Sequence, residues 1–265
     1  MRNHISYSEL KIWDECAYKH KLVYIDEEKK FLGNEYTAFG NAVHDTCEQL
    51  LQKKDMFTES KKFDANHFFD HRFLHHLEEL SIKNVSLDSN LLKSMRQSGA
   101  VLSPLVLPAL KNYFGKFEIY DTEHQLYEKI DDDDLYFKGF IDAVIKTKDG
   151  KYHIIDWKTC GWGWDSRKKN DKIITYQLTL YKNFFAKVKN INPENIKTHF
   201  CLLKRTAKKN QIEIFEVPTG AKKTKNCLKL LNNSIYNIKN KRYIKNRLSC
   251  TQGFGCEFYK TKFCR

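Results

Sequence analysis

Two aspartates and a lysine, Asp142, Asp156 and Lys158, fall in two neighbouring runs, Tyr136–Thr147 and Lys151–Thr159, separated by Lys148-Asp149-Gly150. Hydrolysis of a phosphodiester needs charge neutralisation at the scissile phosphate, an activated water and a stabilised leaving oxygen. Carboxylates holding a hard divalent cation supply these, with a lysine to orient or deprotonate the water. That chemistry requires all three side chains on one surface.

Both runs are rich in β-branched and aromatic residues, and the segment between them has hairpin turn chemistry, so an antiparallel hairpin is expected. Alternation along a strand puts Asp156 and Lys158 on one face and Trp157 on the other. A two-residue turn would set Asp142 opposite Trp157, facing away. A three-residue loop at 148–150 sets it opposite an even-numbered residue near 156, and that longer loop is the expectation. Downstream, Ile173 to Val188 has helical periodicity, with Gln177 and Tyr181 four apart on one face.

The chain has 265 residues, enough to bury a sizeable core without staples, and carries 46 basic against 33 acidic residues, a formal charge of +13. Such a balance favours a polyanionic partner, nucleic acid first, with salt-dependent association. No apolar run approaches a membrane span and the first residues do not read as a signal sequence, so the expected compartment is the cytoplasm and no membrane partner is expected. Eight cysteines at irregular spacing then read as reduced thiols or metal ligands.

Residues 5–24 read as one capped helix, with Ser6 or Ser8 as cap and Cys16 inside it. Alone, a helical cysteine is a small core residue. Gly33 to Gln52 contains a second helix that buries Ala38, Val43, Cys47 and Leu50 and carries His44 on or beside that face. Alone, His44 reads as a satisfied imidazole. Residues 53–118 are mostly helical, with Phe63, Phe68, Phe69, Phe73 and Leu74 in one segment and Leu91, Met95 and Val101 in the next, and are expected to cover one side of the site. Glu118 to Ile130 reads as a strand bearing Glu123, a weaker acidic candidate. Asp131 to Asp134 read as a solvated turn. The loop from Gly161 to Lys172 carries Trp162, Trp164, Arg167, Lys168 and Lys169. Aromatics interleaved with cations suit a single strand, although tryptophans packing locally would account equally for the pattern. Residues 198–204 and 211–217 form a second hairpin. From Ala221 to Ser249 seven lysines and two arginines with no acid make a basic amphipathic helix, the best candidate for tracking phosphates. Cys250, Cys256 and Cys264 close the chain, where packing alone does not explain them.

In this order, Gly40-Asn-Ala-Val-His44, Gly139-Phe-Ile-Asp142, Asp156-Trp-Lys158 and Gln177-Leu-Thr-Leu-Tyr181 resemble the PD-(D/E)XK nuclease superfamily. The similarity is to its RecB-like branch, which includes the iron–sulfur exonucleases of CRISPR adaptation and of AddAB-type complexes. Each fragment alone is weak; their ordered coincidence over most of the chain is specific.

The resemblance implies a restriction-endonuclease-like α/β fold, a central mixed sheet flanked by helices. It would be a single nuclease domain over 1–265, with a helical insertion at 53–118, the catalytic sheet and Gln177–Tyr181 helix at 119–217, and the basic helix and cysteines at 221–265. It implies Mg²⁺ or Mn²⁺ held by Asp142, Asp156, His44 and the Trp157 carbonyl. Lys158 would act on the water, and Gln177 and Tyr181 would contact DNA or brace Lys158. Cys16, Cys250, Cys256 and Cys264 match in layout a [4Fe–4S] ligand set joining the two chain ends. Four thiolates equally suit Zn²⁺, and the spacing C-x5-C-x7-C departs from the tight C-x-x-C of the cluster-bearing members, with Gly253 where the first of the close pair would fall.

The implied activity is DNA cleavage, as an exonuclease on single-stranded or frayed ends, in recombination, repair or the processing of phage or CRISPR DNA. The alternative is a non-cleaving nucleic-acid-binding module. No G-x-x-x-x-G-K-[ST] loop is present, so unwinding would fall to a helicase or recombination partner.

Overall fold

The computed structural model describes residues 3–28, 31–52, 63–130, 134–253 and 255–265. In chain order its elements are β1 (His4–Ser6), α1 (Tyr7–Glu15), α2 (Ala17–His20) with a π-helical turn (Lys21–Ile25), α3 (Glu35–Gln52), α4 (Ala65–Ile82), α5 (Ser89–Leu102), α6 (Val106–Phe114), β2 (Phe117–Lys129), β3 (Tyr136–Thr147), β4 (Tyr152–Cys160), α7 (Ser166–Lys169), α8 (Lys172–Lys189), β5 (Ile196–Lys204), β6 (Ile212–Glu216) and α9 (Ala221–Lys239). The six strands form a mixed sheet in the order β1-β3-β4-β5-β6, with β2 also on β3, and helices flank it. This is the expected α/β architecture. Residues 53–62 and 131–133, which hold the start of the expected insertion and most of the acidic turn, lie outside the described residues.

The chain divides into two compact units, Leu32–Leu126 with Phe140–Thr219, and Met1–Phe31 with Tyr127–Gly139 and Gly220–Arg265. In the first, β3 and β4 pair antiparallel with Ala143 opposite Ile155 and Lys146 opposite Tyr152. Thr147 N donates to Lys151 O (3.0 Å) and Gly150 N to Thr147 O (2.9 Å), so the loop is 148–150, with Gly150 at φ 78° where only glycine is unstrained. Carried one residue further, the register sets Asp142 opposite Asp156, as the three-residue loop requires.

β4 then pairs parallel with β5. Parallel neighbours need a crossover, which α7 and α8 provide. Odd-numbered Ala143, Ile145, Ile155 and Trp157 join Phe39, Phe69, Phe73, Met95 and Leu110 from the helices α3 to α6 in one buried core. Leu74 and Val101, read as part of that apolar face, are instead exposed; the stripes of α4 and α5 run through Phe69, Phe73 and Leu77, and through Met95, Gly99 and Leu102.

Gly99 sets the approach of α5 to α4. A Cβ there would fall 2.0 Å from the ring of Phe69, which is wholly buried and stacked on Phe73. Gly99→Ala should therefore destabilise by about 2 kcal/mol or more, even though alanine gains about 1 kcal/mol of helix propensity. A fall in the urea midpoint at unchanged m-value is the expected reading.

In the second unit β1 pairs parallel with the start of β3, Ile5 opposite Phe137. Ser6 caps α1 by accepting from Glu9 N (3.2 Å). The single helix expected over residues 5–24 is broken at Cys16, which is extended (φ −164°, ψ 113°). The break frees local backbone for other partners: Tyr18 N donates to Ile244 O (3.2 Å) and Asn246 N to Cys16 Sγ (3.3 Å). The basic helix expected over 221–249 ends at Lys239. Lys241 takes a left-handed φ of 54°, Arg242 N returns to Asn237 O (2.8 Å), and Ile244 and Leu248 are exposed rather than packed.

Among the described residues no helix is long and apolar enough to cross a membrane.

Candidate active site

Even-numbered positions of the hairpin point away from the helical core, and there Asp142 and Asp156 are buried (8% and 1% exposed). Asp142 Oδ2 accepts from Trp157 N at 2.7 Å, which fixes that carboxylate against β4. Asp156 Oδ2 lies 2.5 Å from Lys158 Nζ but no donor reaches it with hydrogen-bond geometry. His44 on α3 brings Nδ1 to 3.6 Å from Asp142 Oδ2, too long for a hydrogen bond but close enough for strong attraction.

Glu123 completes the group. One ligand atom each from His44, Glu123 and Asp142 lies within 4.8 Å of the others. Glu123 takes a left-handed φ of 48° inside β2, a bulge-like kink that re-aims its side chain. Oxygen-rich donors with one imidazole fit a hard divalent cation such as Mg²⁺ or Mn²⁺.

The electrostatics agree. Burial pushes Asp156 up, and Asp142 adds to this against the opposing Lys158, giving about 6. Burial would also raise Asp142, but His44, Lys158 and the Trp157 N–H outweigh it and hold it below the ordinary range. Burial would lower His44, yet Asp142 and Asp156 overcome it and lift it to about 9. Glu123 is solvent-exposed but partly desolvated, and with Asp142 and Glu48 beside it its carboxyl is raised to about 7. Carboxylates compressed in this way release strain when a cation binds.

Gln177 Nε2 donates to the Tyr181 hydroxyl (3.2 Å) on α8, which packs on β4 and β5; Gln177 is half-buried and Tyr181 buried. In the following loop the side chains divide. Trp162 is 79% exposed, and Arg167 and Lys168 face solvent. Trp164 packs on Phe200 and Phe215, and Lys169 is paired with Glu213.

Seven of the eight cysteines fall into two groups, with Cys160 half-buried at the end of β4. Cys47, Cys201 and Cys227 are buried, and burial pushes their thiols up, as inert packing residues. Cys16, Cys250, Cys256 and Cys264 all line one cavity of about 100 Å³. Among the described residues no three of them bring sulfurs within 4.8 Å of one another.

The model of the PD-(D/E)XK nuclease superfamily matches residues 4–260. The chain belongs to that superfamily. No curated protein matches the nuclease in sequence. Among solved structures it is similar to a candidate exonuclease from Eubacterium rectale, at 11% identity and a TM-score of 0.55 over 94% of this chain and 86% of that one. That likeness concerns the fold. The structure of SSO0001 aligns with 74% of the nuclease and 84% of its own chain at 16% identity, with a TM-score of 0.35, too low to bear on the comparison.

In this nuclease Glu123 is the residue that sequence reasoning underrated. Its signal was an acid on the strand preceding the hairpin; the kink that aims it is invisible in residue types. Glu123→Gln keeps the shape and removes one carboxylate charge from the group. The expected result is that half-maximal cleavage needs roughly tenfold more Mg²⁺ or Mn²⁺, with a smaller change in rate at saturating metal, read from a metal titration.

Proposed function

We propose that this nuclease is a Mg²⁺- or Mn²⁺-dependent deoxyribonuclease that hydrolyses phosphodiester bonds, acting as an exonuclease on single-stranded or frayed ends. The observation that carries the reading is the convergence of Asp142, Asp156, Lys158, His44 and Glu123 on one side of the hairpin. Asp142, Asp156, Glu123, His44 and the Trp157 carbonyl would hold the ion, which when bound would neutralise the scissile phosphate and lower the pKa of a water. His44, lifted to about 9 by the carboxylates, would have to give up a proton to hold the ion, so binding would release protons at neutral pH.

Lys158, held over Asp156, is placed to take up phosphate charge and to orient the attacking water. Gln177, bonded to Tyr181, presents a polar edge on α8 suited to the DNA backbone or to bracing Lys158. Trp162, Arg167 and Lys168 offer an exposed aromatic and two cations to a strand, with Trp164 and Lys169 as their support. On α9, Lys222, Lys225, Lys229 and Lys239 are exposed along one basic helix, a surface for phosphates whose hold should weaken with salt.

The four cysteines facing one cavity are proposed to hold a [4Fe–4S] cluster. Four thiolates suit such a cluster or a tetrahedral zinc; the layout of one cysteine near the start of the chain and three near its end, shared with the iron–sulfur members the sequence resembles, supports the cluster.

End-labelled single-stranded DNA incubated with Mg²⁺, Mn²⁺ or EDTA tests the activity. Stepwise shortening that needs the metal and is lost in Lys158→Ala is the expected result. Metal-independent cleavage, or full activity in that variant, would sink the assignment; internal cuts would replace exonuclease with endonuclease.

A further inference from the structure

The metal ligands occupy one end of a strip that the proposed roles leave unused. On α3, Tyr36, Gly40 and His44 follow at four-residue intervals and lie on one side of the helix, Tyr36 about 12 Å from His44 along the axis. β4 runs alongside it in the opposite chain direction. Its Asp156 lies in the acidic group, its Thr159 faces Gly40, and its last residue, Cys160, accepts from Arg205 N at 2.7 Å. Gly40 is half-exposed and adds no side chain between His44 and Tyr36.

At the far end the Arg205 guanidinium sits over the Tyr36 ring, 5.6 Å from its centroid. Tyr36 is 54% exposed. Among the described residues no carboxylate pairs with Arg205, whereas nearby Lys169 and Lys204 share Glu213 as an ion-pair partner. Thr206 N donates to Gly161 O (3.1 Å), which ties the Arg205 loop to the loop carrying exposed Trp162. An uncompensated guanidinium stacked on an exposed phenol, with a bare tryptophan on the adjoining loop, has two complements: a planar base and a phosphate.

The geometry points to Tyr36 and Arg205 as a stacking platform for an unpaired nucleotide of single-stranded nucleic acid, the neighbouring phosphate pairing with Arg205. At a rise of 3.4 Å or more per nucleotide, 12 Å places it within about three nucleotides of the metal group. The platform would hold the strand as the reacting bond reaches Asp142 and Asp156. Only that last step rests on the nuclease reading.

Binding of a fluorescein-labelled oligothymidylate, followed by anisotropy in EDTA, separates the platform from cleavage. Tyr36→Ala and Arg205→Ala should each weaken binding about tenfold. Arg205→Ala should also flatten the dependence of log K on log salt by about 0.7, the value of one phosphate contact on a single strand. Arg205→Lys should keep the salt slope yet weaken binding, because lysine lacks the planar face. A blunt duplex, with no unpaired base, should bind all three variants within about twofold of wild type. Affinities for the single strand within twofold of wild type would overturn the platform, as would equal losses on single strand and duplex. Failure of the wild type to cut DNA with Mg²⁺ or Mn²⁺ would instead count against the nuclease reading, and the EDTA measurements would still decide the platform.

Discussion

Asp156→Asn is expected to lower metal-dependent cleavage by about 10³-fold or more while leaving the metal-free protein at least as stable as wild type. The first half follows from its place. Asp156 is buried beside Asp142 and Lys158, and in the proposed mechanism removing its charge would take away a metal ligand worth several kcal/mol of charge stabilisation in the transition state. The second half follows from its electrostatics. Its folded pKa of about 6 lies above the ordinary 3.8. An acid raised in this way contributes stability that is present below pH 3.8 and lost as pH rises through 6. At pH 7 to 8 the metal-free fold therefore carries a penalty of up to roughly 2–3 kcal/mol, which the neutral, isosteric asparagine lacks. The difference in Tm between variant and wild type should thus grow between about pH 4 and pH 6 and then level off. Added Mn²⁺ should raise the wild-type Tm and shift the variant much less. A variant that cleaves normally would remove Asp156 from the site. One that is less stable than wild type at pH 8 would mean that the Lys158 ion pair outweighs the burial of the charge.

How much of this could be read in the residues depends on the range of the interaction. Alternation and turn chemistry are local, so the register of Asp142 against Asp156, the loop at 148–150 and the inward Trp157 follow from the sequence. Gln177 and Tyr181 on α8 follow from helical spacing in the same way. The break at Cys16 was hidden because its cause lies more than 220 residues away, in backbone bonds with Ile244 and Asn246. The end of α9 at Lys239 was hidden because asparagine and lysine carry the cap, without the glycine that usually announces one. Glu123 stood out only as an acid, since its aim depends on a positive φ that glutamate seldom adopts. The Gly161–Lys172 loop was evenly balanced between binding a single strand and packing its tryptophans locally; Trp164 packs on Phe200, while Trp162 stays in solvent.

If Cys16, Cys250, Cys256 and Cys264 hold the proposed cluster, Cys256→Ser should strip it and loosen the C-terminal segment. After α9 that segment has a short 3-10 turn at Arg247–Cys250 and isolated bridges that pair Cys264 with Tyr259 and Thr261. Phe258 is its one fully buried large apolar side chain among the described residues. A stretch with so little core of its own holds its shape through a staple. The staple available is the cavity shared by Cys16, Cys250, Cys256 and Cys264, where the backbone N–H of Asn246 already points at the Cys16 sulfur, a bond of the kind that tunes sulfur ligands. Bound metal adds its binding free energy to folding, and losing one ligand of four forfeits several kcal/mol of it. Protein purified without oxygen should be brown and contain iron and acid-labile sulfide, and the serine variant should be colourless. Limited proteolysis should cut the variant within residues 240–265 at least tenfold faster than wild type. Colourless wild type containing zinc would replace the cluster with a zinc staple and leave the proteolysis expectation standing. Equal resistance of the two proteins would show that the tail is held by packing alone.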